Sequence, residues 1–455
     1  MNRQTLAVTL GAIVLLALGA LLLYATPAPA PTPVSAAPRG KAKATSSKRL
    51  PPAQLIHKRP VAADRPAAPP DAPNVVVVFV SSQRRDQWTV YGGADAVTPR
   101  LAEVARTGVV MQDALSASPD PHTAAAALTT GRHPHHVGAV EVTDRRNGRP
   151  LPGDVRTLAE RMSSAGWFTI GATGNHHYNH RMGQAQGFDW YRDSQPYSFM
   201  LEMRVGAIQV VQNAVRRANQ RTEEERARPL FMQLALADSH KPFRVPPSEF
   251  RKFEGPDHNV APYRATVRRI DNAISRLIDT LSQQDITAQN TVFVVVADHG
   301  EGLEMPVHHR KQHGYTLYGS SISVPWVMWG KGVPAAKVGG IASTLDVAPT
   351  VLGLIGLPSD GMDGHDLSGL LQGGDWPRTE VYSDTLYEGV HRASLWTASH
   401  QCQREYGTTV DGETQFPEGC FDRAADPTFA EVIEQPALWD RLDARHTELM
   451  QAVTR

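Results

Sequence analysis

Asp298-His299-Gly300 sets a carboxylate and an imidazole side by side where an apolar run ends. A carboxylate–imidazole pair at such an edge is a common divalent-metal ligand set. The same three residues also make an ordinary turn, with Asp capping and Gly turning, so alone they decide little. His240 in DSHKPF follows a second apolar run, and Asn175-His176-His177 follows a third. His308, His309 and His313 add imidazoles in a Gly-containing loop, and Ser81-Ser82 closes a fourth run. Eighteen histidines is a generous supply for 455 residues, and their grouping at the ends of apolar runs exceeds what a random surface gives.

Those runs are strands. NVVVVFV (74–80) and TVFVVVA (291–297) are continuous and β-branched, the mark of strands buried on both faces of a parallel sheet. LFMQLALA (230–237) is a third and FTIGA (168–172) a shorter fourth. Helical patterns separate them. Thr98-Pro99 opens a helix over 98–107, and Gly166 closes one over 155–165. Residues 263–281 carry Val267, Ile270, Ile274, Leu277, Ile278 and Leu281 on one face. Alternating strands and helices predict an α/β fold with a mostly parallel central sheet flanked by helices on both faces. Ligands in such folds sit beyond the carboxyl ends of strands. Ser81-Ser82, residues 174–177, residues 238–240 and Asp298-His299 all fall there.

Lys plus Arg and Asp plus Glu are each 46, so net charge is zero and global attraction to nucleic acid is excluded. Residues 6–25 (LAVTLGAIVLLALGALLLYA) are 20 uncharged residues, enough to cross a bilayer core of about 30 Å. Two readings stand: a transmembrane signal anchor over 1–25, preferred because the run is long for a signal peptide, or a signal peptide cleaved in the YATPAPA stretch. Either puts the rest of the chain on the exported side, periplasmic or extracellular, tethered in the first case and secreted in the second. The basic residues that follow, from Arg39 to Arg65, blunt the orientation signal. Residues 26–72 read as a Pro/Ala-rich basic linker, a spacer or a strip that touches anionic lipid or cell-wall polymer.

From Asn74 to Arg455 the chain resembles the sulfatases, within the alkaline phosphatase superfamily. The resemblance rests on NVVVVFVSSQRRDQWTVYGG with VTPRLAEVARTGVVMQDA, on LTTGRHPHHVG, on FMQLALADSHKPFRVPP, on YRATVRRIDNAISRLIDTL with NTVFVVVADHGEG, and on HGYTLYGSSISVPWVMWGKGV with STLDVAPTVLGLIGLP and MDGHDLSGLLQG, in that order. It implies an alkaline-phosphatase-like sheet over 73–378 and a small C-terminal α+β subdomain over 379–455. It also implies hydrolysis of sulfuric esters by a divalent metal, usually calcium, beside a formylglycine made from Cys or Ser. Relatives use Thr or Ser for phosphoryl transfer.

The chain departs from that pattern at the chemistry. The opening strand of the family ends in two metal-binding Asp; here it ends in Ser81-Ser82. Counting back from Leu128 without gaps puts Pro121 at the nucleophile and Ala125 at the following Arg. The Lys of the Gly-Lys-x-His stretch becomes Asn175, though His177 matches its His, and a later Lys becomes Gly314. What matches is Asp298, His299, His240, His177 and His313. Calcium takes six to eight oxygens, several from carboxylates. Replacing two Asp by Ser therefore leaves a set that suits zinc better than calcium, and only if His177, His240 or His313 joins. These losses predict a non-catalytic or impaired member that keeps a ligand-binding or structural role. The alternative is an active sulfuric or phosphoric ester hydrolase or phosphotransferase. It needs a two-residue gap that makes Thr123, in PHTAAAALTTG, the nucleophile, with His122 as base; otherwise Thr123 merely caps a helix. The partners expected are the membrane and a sulfated or phosphorylated envelope or extracellular molecule.

In the C-terminal part, VYSDTLYEGVHRASLWTAS reads as paired strands, and the sequence from Cys420 on as a strand, an Asp-Pro turn and a final helix. Cys402 and Cys420 close a loop as a disulfide in an oxidising compartment, or remain two buried thiols.

Overall fold

The computed structural model describes residues 56–58, 65–140, 149–193, 205–241, 243, 245–253, 260–303, 313–387, 390–407 and 418–453. The expected anchor at 6–25 and the loop residues His308 and His309 lie outside them. Among the described residues no helix is long and apolar enough to cross a membrane.

The unit from Pro51 to Arg455 is built on a ten-stranded sheet. Its strands are β1 (Ile56–Lys58), β2 (Asn74–Val80), β3 (Val109–Leu115), β4 (Phe168–Thr173), β5 (Trp190–Asp193), β6 (Leu230–Leu236), β7 (Thr291–Ala297), β8 (Ser323–Val324), β9 (Trp326–Gly330) and β10 (Ala336–Ser343). They lie in the order β1-β5-β4-β6-β2-β7-β9-β3-β10, with β8 beside β3. The central strands β4, β6, β2 and β7 run parallel. β9 enters antiparallel between β7 and β3, and β1 closes the far edge antiparallel to β5. The β-branched runs are buried throughout because helices cover the sheet. The Ala261–Ser282 helix buries Val267, Ile270, Ile274 and Leu277, as its spacing predicts. The helix expected over 155–165 starts later, at Leu158, because Thr157 and Glu160 form a reciprocal capping box there.

Register positions the site. Val80 pairs with Leu236 on one side and Ala297 on the other, and Thr173 pairs with Ala235. The strands therefore end level, and the polar residues after them meet at one edge.

One expectation is corrected. Residues 56–58 and 65–72, read from composition as linker, belong to the folded unit. Ile56, His57 and Lys58 pair with β5, and Arg65 forms a two-pronged bridge of 2.6 and 2.8 Å to buried Asp189. Three-residue strands carry no alternation for a sequence reading to find.

The chain then forms a four-stranded antiparallel sheet, β11 (Glu380–Tyr387), β12 (Val390–Thr397), β13 (His400–Tyr406) and β14 (Gly419–Asp422), followed by the Pro436–Val453 helix. Cys402 and Cys420 are cross-strand neighbours on β13 and β14 and form a disulfide. A loop of this length is worth about 3 kcal/mol. Reduction is therefore expected to lower the unfolding free energy by that amount, and an unchanged denaturant midpoint in the Cys402→Ser/Cys420→Ser variant would contradict it.

Candidate functional site

Asp298 leaves β7 fully buried. Its Oδ1 accepts backbone N–H groups from Ser82 at 3.1 Å and His299 at 2.8 Å. Its Oδ2 has no hydrogen-bond partner, and neither do Oγ of Ser81, Oγ of Ser82 or Nε2 of His299. Ser82 reaches this position with φ at 58°, a left-handed conformation uncommon for a residue with a side chain. Tyr263 donates to the Ser82 carbonyl at 2.8 Å and accepts the Arg84 N–H at 2.9 Å, which fixes the turn. Ser239, three residues past the end of β6, donates to the Ser81 carbonyl at 2.5 Å. Burial pushes the Asp298 carboxyl up, against the pull of His299 and the two N–H groups. Burial, with Asp298 beside it, holds the Tyr178 phenol well above its usual range, so it stays protonated.

Around this point stand imidazoles. His299 and His313 have ring centres 4.3 Å apart, and His313 and His240 4.8 Å. His177 lies 3.8 Å from His176 and 6.4 Å from His122. Burial, then His176, His122, His240 and His299, hold His177 well below the usual histidine range. Burial likewise lowers His299. The strand ends thus bring Ser81, Ser82, Asp298, His299, His313, His240 and His177 into one region.

Thr123 lies in the first turn of the Pro121–Thr130 helix. Its backbone N–H and its hydroxyl both donate to Oδ1 of Asp120 at 2.9 Å, so its hydroxyl is engaged in a helix cap. His122 holds the Arg149 carbonyl at 2.6 Å. Pro121 occupies the first helical position, where its missing N–H costs nothing.

Glu301 escapes the sequence reading. It is fully buried, 3.0 Å from Nδ1 of His313 and 3.6 Å from Nζ of Lys241. Burial would raise its carboxyl, but His313 and Lys241 hold it below the usual range. Its signal was Gly300: a Cβ there would meet the Ser320 carbonyl at 2.0 Å. That approach lets Gly300 and Glu301 bond to Ser321 and Ser320, which turns Glu301 inward. Asp86, Asp120 and Asp238 have other work: Asp86 pairs with Arg84, Asp120 caps the Pro121–Thr130 helix and Asp238 caps the Ala207–Asn219 helix.

The donors fit a hard cation poorly. Calcium takes six to eight oxygens, mostly charged or carbonyl. Among the described residues one carboxylate has a free oxygen, a second is bound to His313 and Lys241, and Ser81 and Ser82 offer neutral hydroxyls. The histidines suit a softer ion.

A mostly parallel sheet with a polar strand-end site, followed by a small antiparallel sheet, defines an alkaline-phosphatase-like α/β protein. The sequence profile of the Sulfatase family matches residues 73–357, and the chain belongs to that family. It is 25% identical over 408 residues to the ulvan-active sulfatase of Formosa agariphila, covering 79% of this chain and 76% of that protein. It is 25% identical to arylsulfatase A of Bos taurus, covering 84% and 83%. In structure it resembles the phosphonate monoester hydrolase of Agrobacterium radiobacter, with a TM-score of 0.65 and 16% identity over 84% of this chain and 95% of that one. Members of the family are metal-dependent, and the described residues include candidate His/Asp groups.

Proposed function

We propose that this chain is a membrane-tethered, exported sulfatase relative whose ester-hydrolysing reaction has lapsed. In this reading its pocket binds a sulfated or phosphorylated molecule of the envelope or extracellular space without turning it over. The observation that carries the reading is the end of β2. Ser81 and Ser82 stand where the family resemblance expects two carboxylates, and their hydroxyls, like Oδ2 of Asp298, are buried without partners. Pro121, which has no nucleophile, heads the helix where the reacting side chain is expected. A covalent route through that position is therefore closed.

Sulfated sugars are the favoured ligand class, because a relative named N-acetylgalactosamine-6-sulfatase, from Canis lupus familiaris, is 26% identical over 390 residues. The Cys402–Cys420 disulfide suits an oxidising compartment. The uncharged run at 6–25 supplies the tether, or a signal peptide if it is cleaved.

A second reading rests on the closeness of His299, His313 and His240 to Asp298 and Glu301. This donor set suits zinc, with Thr123 as nucleophile. The Thr123 hydroxyl, engaged by Asp120, argues for the first reading.

The test is turnover of an aryl sulfate and an aryl phosphate by the full chain, with calcium or zinc added, alongside retention on a sulfated polysaccharide column. Wild type and Thr123→Ala are expected to be alike, with no turnover above buffer and the same retention. Turnover that vanishes in Thr123→Ala would overturn the first reading in favour of the second.

A further inference from the structure

Beyond the strand-end site, the described residues hold a second group of buried metal-ligand side chains. His133 and His135 lie in the loop after the Pro121–Thr130 helix, and Asp384 and His391 face them from β11 and β12. The ten-residue helix, about 15 Å long at 1.5 Å per residue, lies between them and His122.

Donor atoms of His133, His135 and Asp384 all lie within 4.8 Å of one another. Oδ2 of Asp384 is 2.6 Å from Nε2 of His135 and 2.9 Å from Nε2 of His391. Its Oδ1 has no hydrogen-bond partner. His133 is 2% exposed, and neither of its ring nitrogens has a hydrogen-bond partner. Nε2 of His133 is 3.9 Å from Oδ1 of Asp384, too long for a hydrogen bond. It is close to the spacing of two ligands on one tetrahedral metal, about 3.4 Å for bonds near 2.1 Å.

A buried imidazole with both nitrogens unpaired is costly unless something else satisfies it. The loop is also held in place. Oδ2 of Asp363 accepts the His133 N–H at 2.6 Å and lies 2.8 Å from Nδ1 of His136. A cleft of about 800 Å³, lined by His133, Asp363, Tyr382, Arg378 and Arg445, gives an ion a route in.

We propose that His133, His135, Asp384 and His391 form a binding site for a divalent transition metal of the zinc class. The ion would cross-link the loop after the Pro121–Thr130 helix to β11 and β12, some 250 residues further along the chain. On binding, the ring hydrogen that His135 and His391 now direct at Asp384 would pass to the other ring nitrogen or, from a charged ring, leave to solvent, so that a neutral imidazole faces the ion.

The test is metal analysis of the full chain in detergent, stripped with a chelator and reloaded with zinc or cobalt. Expected are one equivalent that survives in a His240→Ala/His313→Ala variant and a cobalt spectrum of tetrahedral nitrogen and oxygen ligation. His133→Asn and Asp384→Asn are expected to weaken that equivalent by more than about 100-fold, beyond what loss of an outer-shell partner does. X-ray absorption on wild type covers the case in which these variants do not fold: three imidazoles and one carboxylate support the site. No bound metal in wild type, or metal retained in both Asn variants and lost with His240 and His313, overturns it.

Discussion

In chelator-treated protein, His133→Asn is expected to reduce acid sensitivity, moving the stability gap between variant and wild type by about 2 kcal/mol in the variant's favour from pH 6.5 to 4.5. Burial depresses His133 to about 3 in the folded state, against 6.5 for a free imidazole. Between those values the unfolded chain binds a proton that the folded chain refuses, so stability falls as pH falls, by about 1.4 kcal/mol per pH unit. His177 acts in the same direction, since burial and its four histidine neighbours hold it well below its usual range. His135 does not confuse the comparison. Burial opposes its charge but Asp384 outweighs burial and raises it, so its contribution is already complete below pH 6.5. Asp384, depressed, loses its contribution only below about pH 4, outside the window. Buried Asp298 and Asp346, whose carboxyls are raised, work the other way in both proteins and cancel in the difference. Urea titrations of the two proteins at pH 6.5, 5.5 and 4.5 read the effect; parallel curves would rule it out.

Arg378→Met is expected to destabilise the fold by about 3–5 kcal/mol, the range for removing one partner of a buried ion pair. Asp346 is fully buried after β10, where it accepts N–H groups from Ser343 at 2.8 Å and His365 at 2.7 Å and pairs with Arg378. Without the guanidinium a carboxylate is left in the interior with only two amide donors. Burial already raises this carboxyl against the pull of Arg378, so in the variant it rises further. The penalty should shrink on acidification as Asp346 takes up a proton. Chemical denaturation at pH 7.5 and 5 checks both points, and a loss below 1 kcal/mol at pH 7.5 would show that the pair carries little.

The central fold was legible because β2 and β7 are written as unbroken β-branched runs, and their boundaries follow the sequence reading residue for residue. β1 was not, because three residues at an edge show no period. The strand-end polar residues were legible individually, and parallel register explains why they meet. Glu301 was not, because Gly300 marks a close approach but its partner, Ser320, is named only by the fold. The His133–Asp384 group was least legible of all. Its members sit in LTTGRHPHHVG and VYSDTLYEGVH, and only the fold brings those stretches together.

The account stands on the charge at the end of β2 and β7. Calorimetric titration of calcium into the full chain, with Asp298→Asn as the comparison, tests it most directly. The account predicts the same weak or absent heat in both proteins. Saturable, micromolar calcium binding that Asp298→Asn abolishes would contradict it.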